Sequence, residues 1–376
     1  MAGIYIHVPF CKQRCNYCAF YSSTLYNIKE QYTHAVCKEL EMRKEYAGCE
    51  EIKTIYFGGG TPSTLPIALL QEICNAIYAN YTVDSKAEVT IECNPDDLTE
   101  EFLTRLRPLP FNRISMGVQS FDDIQLKRLG RRHNADKAQQ AVKNARKAGY
   151  DNISIDLMFA LPGSTSTEWE QTIEAALALK PEHISAYNLM YEEETPLHKA
   201  LQRGDFEELS EEENLEQFQT LIKKMKEAGY RHYEISNFAK DGHESRHNSS
   251  YWNDSIYIGC GAAAHSYNGE SREWNIADIK EYIKGIENNQ RNYEIEHLTE
   301  EERYNDAILT RLRTADGIPL KWMEQKFSKK LYHYMLTSAQ KHIENGNIKK
   351  TDETLSLTEK GIFISDAIIR DLIFAE

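Results

Sequence analysis

Six times in the first 190 residues an apolar run of strand-like length gives way to a stretch with helical spacing. "GIYIHV" (3–8) precedes an amphipathic segment from Ile28 to Tyr46, and "IKTIYF" (52–57) precedes a helix beginning after Pro66. "AEVTIEC" (87–93) leads to a helix with Thr99 as N-cap. "RISMGV" (113–118) leads to a helical region from Asp122 to Ala148 broken near Gly130. "NISIDLM" (152–158) leads to a helix over 167–179, and "HISAYNLM" (183–190) is the sixth strand. Strand–helix units in unbroken series predict a parallel sheet with right-handed crossovers. Six of them make an open α/β partial (βα)6 barrel. Such barrels carry their chemistry at the C-terminal ends of the strands. The unusual residues sit there: Gly58–Thr61, Asn94–Pro95, Gln119 and Pro162–Gly163.

The pattern changes after residue 200. Residues 207–216 are acid-rich and read as a solvated helix start, and 237–255 reads as a long polar loop. From Leu298 the order is helices, a hairpin (347–358) and a last helix, which suggests a mostly helical, winged-helix-like module. The expected division is 1–230 for the partial barrel, 231–297 for a linking segment packed on it, and 298–376 for the C-terminal domain. The last of these has twelve Lys/Arg against thirteen Asp/Glu, and the whole chain carries a formal charge of −14, so a nucleic-acid partner is disfavoured. No stretch reaches the ~20 apolar residues of a membrane span, and the opening strand leaves no room for a secretory signal. A cytoplasmic protein is expected, where cysteines stay reduced. On that reading Cys37, Cys49, Cys74 and Cys93 are small buried apolar residues.

The other cysteines differ by their spacing. "HVPFCKQRCNYCAFYSS" (7–23) places Cys11, Cys15 and Cys18 in a C-x3-C-x2-C loop after the first strand. Structural zinc sites take four ligands in two separated pairs, which this is not. A [4Fe–4S] cluster held by three thiolates fits better and leaves one iron without a protein ligand. A purely structural trio is the alternative. Lys12 and Arg14 either offset the cluster's negative charge or are solvated loop charges. Glu92 and Asp156 lie within apolar strands, where a carboxylate needs a partner. That partner is a ligand or a neighbouring arginine. "YFGGGTPS" (56–63) is either a tight turn or a close backbone approach to a ligand.

The loop, its place after a first strand and the (βα)6 pattern resemble the radical S-adenosylmethionine (SAM) superfamily. There SAM's amino and carboxylate groups occupy the open iron, and one electron cleaves SAM to a deoxyadenosyl radical. "YIHVPFCKQRCNYCAF", "YFGGGTPS", "IECNPDD", "RISMGVQSFDD", "LGRRHN" and "IDLMFALPG" together are similar to the oxygen-independent coproporphyrinogen III oxidase-like family, over most of the first 270 residues. The resemblance implies a cluster on Cys11, Cys15 and Cys18. It implies SAM contacts from Tyr5, Tyr17, Gly59, Gly60, Thr61, Glu92, Gln119, Arg131 and Asp156, with Met190 as a further candidate.

That family holds two groups. The oxidases decarboxylate a tetrapyrrole. They show C-x3-C-x2-C-x-C and a longer segment before the first strand. Here Phe20 stands at the extra cysteine's position, and only ten residues precede Cys11. Both features are similar to the HemW-type haem chaperones, which pass haem to acceptor proteins. "RHNSSYW" (246–252) is similar to a hallmark of that group and makes His247 a haem-ligand candidate. A loop histidine that caps backbone groups is the alternative, and His265 and Cys260, in a close-packed turn, are poorer candidates. The expected cofactors are the cluster, SAM and haem. The expected partners are a haem-acceptor protein and, if radical chemistry occurs, an electron donor. Oxidase activity on coproporphyrinogen III is the second reading.

Overall fold

The structure, a computed structural model, describes residues 2–48 and 50–375. Cys49 lies outside the described residues. The barrel elements, in chain order, are β1 (Ala2–Val8), α1 (Lys29–Met42), β2 (Ile52–Gly59), α2 (Ile67–Asn80), β3 (Val83–Cys93), α3 (Glu100–Leu106), β4 (Arg113–Gln119), α4 (Asp123–Arg128), α5 (Ala135–Lys147), β5 (Ile153–Phe159), α6 (Ser166–Ala178) and β6 (His183–Asn188). After them come α7 (Pro196–Gln202), α8 (Glu211–Glu227), β7 (Arg231–Glu234), β8 (Asn237–Ala239), α9 (Arg246–Trp252), β9 (Ile256–Cys260), β10 (His265–Tyr267), β11 (Ser271–Asn275), α10 (Ile279–Glu287) and β12 (Tyr293–His297). The C-terminal part comprises α11 (Glu300–Arg311), β13 (Ile318–Pro319), α12 (Leu320–Lys326), α13 (Lys329–Glu344), β14 (Ile348–Lys350), β15 (Thr354–Leu357), α14 (Glu359–Ile362) and α15 (Ser365–Leu372).

Strands β1 to β6 pair in chain order, all parallel, as the alternation predicts. The sheet is wider than six strands. β9 joins the free edge of β1 in parallel, and β10–β12 extend that edge antiparallel. β8 and β7 extend the opposite edge beyond β6. The two ends remain apart, so the barrel is open.

One face of each strand is apolar. Ile4, Ile6, Val8, Phe57, Ile91, Ile114 and Ile155 pack outward against Val36, Leu40, Leu70, Ile73, Val142 and Ile173 of the helices. Each fully buried aliphatic of this kind contributes about 1.5–3 kcal/mol. The opposite, inward face carries Tyr5, His7, Thr54, Tyr56, Glu88, Glu92, Arg113 and Asp156, in the alternation that a period of two requires. The split is what makes the interior polar enough to be a site.

Local signals fall where expected. Thr99 accepts a hydrogen bond from the Phe102 N–H at 3.2 Å, and the 122–148 region divides into α4 and α5 at Gly130, whose φ is +71°. The acid-rich segment does start a helix, with Ser210 as the cap of α8. Cys74 and Cys93 are buried, whereas Cys37 is half-buried. The expected loop at 237–255 is corrected: it contains β8 and α9. Ser245 caps α9 by accepting the Asn248 N–H, which stabilises a helix that its polar composition hides. In the C-terminal part a second apolar cluster, including Ile308, Leu312, Met335 and Leu372, packs with the three-stranded sheet β13–β15–β14. Helices followed by a hairpin and a small sheet give the winged-helix-like order.

Candidate functional site

The cysteine loop leaves β1 and is pinned at three places. The Gly60 and Thr61 N–H groups donate to Val8 and Phe10 carbonyls, both at 2.9 Å. The Asn16 amide donates to the Arg128 carbonyl at 2.8 Å. Gly60 has a specific reason to lack a side chain, because a Cβ there would lie 2.7 Å from the Pro9 carbonyl carbon. The glycine run therefore seats the cysteine loop. Gly59 adopts φ +104°, which favours glycine, and its missing Cβ leaves room for the His7 ring.

All three cysteines are free and half-buried. Cys11 Sγ lies 3.6 Å from the Thr61 hydroxyl, and the Arg131 guanidinium donates to Cys15 Sγ at 3.2 Å. Tyr17 also reaches Cys15 and Arg131. Burial raises the thiol pKa of Cys11 and Cys18. Phe20, at the position of the oxidases' extra cysteine, is 72% exposed. Among the described residues, no three His, Cys, Asp or Glu side chains converge on one metal ion. A cluster asks for something else, one thiolate on each of three separate irons.

Arg131 serves as a second anchor. Besides Cys15 it donates to the Gly117 carbonyl, and its Nε is buried with no hydrogen-bond partner. An orphaned guanidinium N–H on the residue that touches the Cys15 thiol suits an anionic neighbour, either a thiolate-bound cluster or a carboxylate. Gln119 converges on the same spot: a Cβ on Gly117 would meet Gln119 Nε2 at 2.9 Å and Arg131 Nη2 at 3.2 Å. Gln119 is held at φ +70°, a costly conformation for a non-glycine residue and one that clusters at functional sites.

Deeper in the barrel, Tyr56 donates to Glu92 at 2.7 Å. Burial pushes Glu92 up to about 7 despite that bond. Burial likewise pushes Asp156 up to about 6, against hydrogen bonds from Ser185 and Ser115 and the charge of Arg113. Arg113 is 1% exposed, and its Nε and Nη1 have no hydrogen-bond partner. Tyr5 bonds His7 at 3.1 Å and stacks near Tyr56. Met190 lies just past β6 and is 66% exposed.

His247 belongs to a helix rather than to the expected loop, it is fully buried, and both ring nitrogens are engaged. Nδ1 meets the Thr54 hydroxyl at 2.9 Å and Nε2 the Tyr251 hydroxyl at 3.0 Å. Its ring stacks 5.1 Å from Tyr56, and burial lowers its pKa to about 3. As folded, both nitrogens meet hydroxyl partners, and burial favours the neutral ring. Lys12 is likewise committed, to Asp97 at 2.6 Å, and Arg131 is the cation that touches a cluster thiol. Sequence reasoning missed Tyr56, His7 and Arg113. The inward alternation of β1, β2 and β4 was the signal that could have found them.

Comparison with known proteins agrees with this geometry. Residues 5–176 match the Radical SAM superfamily profile, and residues 298–364 match that of the HemN C-terminal domain. "Heme chaperone HemW" of Bacillus subtilis (strain 168) is 35% identical over 374 residues, 98% of each chain. The chain belongs to the HemW family. A second member, of Lactococcus lactis subsp. lactis (strain IL1403), is 32% identical over 368 residues, covering 97% of this chain and 95% of that one. The solved structure described as "Coproporphyrinogen III oxidase (HemN) from Escherichia coli is a Radical SAM enzyme" superposes with a TM-score of 0.85. It covers 99% of this chain and 90% of that chain at 22% identity, and so shows the shared fold. In a HemW-family chain of this superfamily, Cys11, Cys15 and Cys18 are the residues that fit a [4Fe–4S] cluster, and SAM is the implied companion. No helix among the described residues is long and apolar enough to cross a membrane.

Proposed function

We propose that this chain is a haem chaperone: it carries a [4Fe–4S] cluster and SAM, binds haem, and hands it to an acceptor protein. The observation that carries the reading is full-length kinship to HemW-family relatives, combined with a cysteine loop that offers three thiols and an exposed Phe20. When bound, the cluster supplies one-electron reduction of SAM at its open iron. The chain's part is to hold the thiols, place Arg131 against Cys15, and keep Glu92 and Asp156 inside the barrel. Gly59, Gly60 and Thr61 would line SAM's methionine end. Tyr5, Tyr17, Glu92, Gln119, Arg131 and Asp156 would complete the pocket, with Met190 at its rim. The partner is a haem-acceptor protein, and any radical turnover needs a separate one-electron donor.

The second reading, an oxidase acting on coproporphyrinogen III, is favoured by the shared fold alone. One anaerobically reconstituted preparation tests both. Haem titration should give a saturable Soret band, and incubation with coproporphyrinogen III, SAM and dithionite should give no decarboxylated product. Decarboxylation at enzymatic rates would overturn the chaperone reading, and so would failure to bind haem.

A further inference from the structure

The segment that carries Arg131 also walls a cavity beside the cysteine loop. It is tied to that loop at two points. The Asn16 N–H donates to the Leu129 carbonyl at 3.0 Å, and the Gln13 amide donates to the Gly130 carbonyl at 3.2 Å. Gln13, Lys127, Arg131, Arg132, Asn134 and Lys137 are among the residues that line a cavity of about 370 Å³ there. From that lining Arg131 donates to Cys15 Sγ at 3.2 Å. One side chain therefore spans the gap between the cavity and a cluster thiol. Arg131 is also the one proposed SAM contact in the lining, so an occupant leaves the barrel interior to SAM.

The charge here runs against that of the molecule. Residues 123–137 carry five Lys and Arg against two Asp, in a chain of formal charge −14. Part of that charge is spent locally: Arg132 faces Asp96 at 3.3 Å and Asp97 at 3.6 Å, and the Asp123 carboxylate accepts the Ala135 N–H at 2.8 Å. Lys127 and Lys137 are exposed and have no carboxylate partner among the described residues, and the same holds for Arg14 of the cysteine loop. Ile124 is 71% exposed and lies one turn before Lys127 on the same face of α4. An exposed aliphatic among unpaired cations, with no aromatic wall in the lining, suits a protein surface rather than a ring-shaped small molecule. An acidic protein is repelled by most of this chain and attracted here, which fixes both where it lands and which way it faces.

We infer that this basic face is the docking surface of an acidic, flavin-bearing one-electron carrier that reduces the cluster. Its carboxylates meet Arg14, Lys127 and Lys137, Ile124 supplies the apolar contact, and Arg131 lies between the flavin and Cys15. The inference rests on the cluster reading and adds the donor's class and its place of contact. The step moves one electron and no atoms: the carrier's anionic hydroquinone is oxidised to the neutral semiquinone, and the cluster goes from [4Fe–4S]²⁺ to [4Fe–4S]⁺.

The test uses the full-length, anaerobically reconstituted protein with a photoreduced acidic flavodoxin as the probe. Calorimetry reads binding, and electron paramagnetic resonance reads the rate at which the reduced-cluster signal grows. Wild type should bind the probe, with an affinity that falls as salt is raised. The double change Lys127→Glu and Lys137→Glu should weaken binding by about tenfold and slow reduction by a similar factor. Cluster absorbance, SAM affinity and reduction by dithionite should stay at the wild-type level in that variant. Lys349→Glu, in the C-terminal part, controls for net charge and should change neither readout. A wild type that does not bind the probe, a double variant that matches wild type, or an equal loss in Lys349→Glu would each overturn the inference. A cluster that dithionite cannot reduce in wild type would instead remove the cluster reading beneath it.

Discussion

Glu92, proposed above as a SAM contact, gives the sharpest quantitative handle on that proposal. Burial holds its carboxyl near 7, with Tyr56 bonded to it at 2.7 Å. SAM carries an ammonium and a sulfonium, so the ionised carboxylate is the form that binds. With a pKa of about 7, the ionised fraction rises from about one-tenth at pH 6 to about nine-tenths at pH 8. SAM affinity should therefore tighten roughly ninefold over that range, about 1.3 kcal/mol. Asp156, near 6, adds at most about another factor of two. Stability without SAM runs the other way. The folded pKa lies above the ordinary carboxylate value, so the folded state binds the proton more tightly. Its contribution is full below the ordinary range and is lost as pH rises through about 7. Calorimetric SAM titrations at both pH values, with Glu92→Gln beside wild type, check this. The variant should bind SAM weakly with little pH slope and should gain relative thermal stability above neutrality. A wild-type Kd constant across the range, or the same slope in Glu92→Gln, would refute the argument.

Two other outcomes follow from the same geometry. Arg131→Ala removes the donor and the positive charge at Cys15, so cluster loading should fall. The midpoint potential should drop by several tens of millivolts, since about 60 mV is a tenfold change for a one-electron couple. An unchanged potential in a redox titration would contradict that contact. His247→Ala leaves the Thr54 and Tyr251 hydroxyls unpaired around a cavity, and denaturant unfolding should show a loss of about 2–4 kcal/mol. A near-neutral change would mean that the imidazole is not part of the barrel floor.

The periodicity of the first 190 residues was enough to place β1 to β6 in order, because each strand's apolar face and each helix's stripe are local patterns. The cysteine spacing and the glycine run were legible for the same reason: chemistry that needs three thiols on one short loop is written in one short stretch. What stayed hidden depends on contacts between distant segments. β9 is five residues long, and its place against β1 is decided by pairing rather than by composition. Helix α9 hid in polar sequence because Glu88 receives its first N–H groups and Ser245 caps it, neither visible as periodicity. His247 looked available because a motif does not show burial. Its neighbours Thr54, Tyr56 and Tyr251 come from β2 and from its own helix, and only folding brings the first two to it. His265 was set aside as part of a close-packed turn. The turn is indeed tight, since a Cβ on Gly259 would lie 2.0 Å from the His265 carbonyl oxygen, and the ring stacks on Trp274.

The claim beneath all of this is that Cys11, Cys15 and Cys18 hold a cluster with one iron left for SAM. Electron paramagnetic resonance of the reduced, anaerobically reconstituted protein, recorded with and without SAM, addresses it directly. The account predicts a [4Fe–4S]⁺ signal whose g-values shift on adding SAM and which disappears in Cys15→Ala. A cubane signal indifferent to SAM, or one that survives the loss of Cys15, would contradict it.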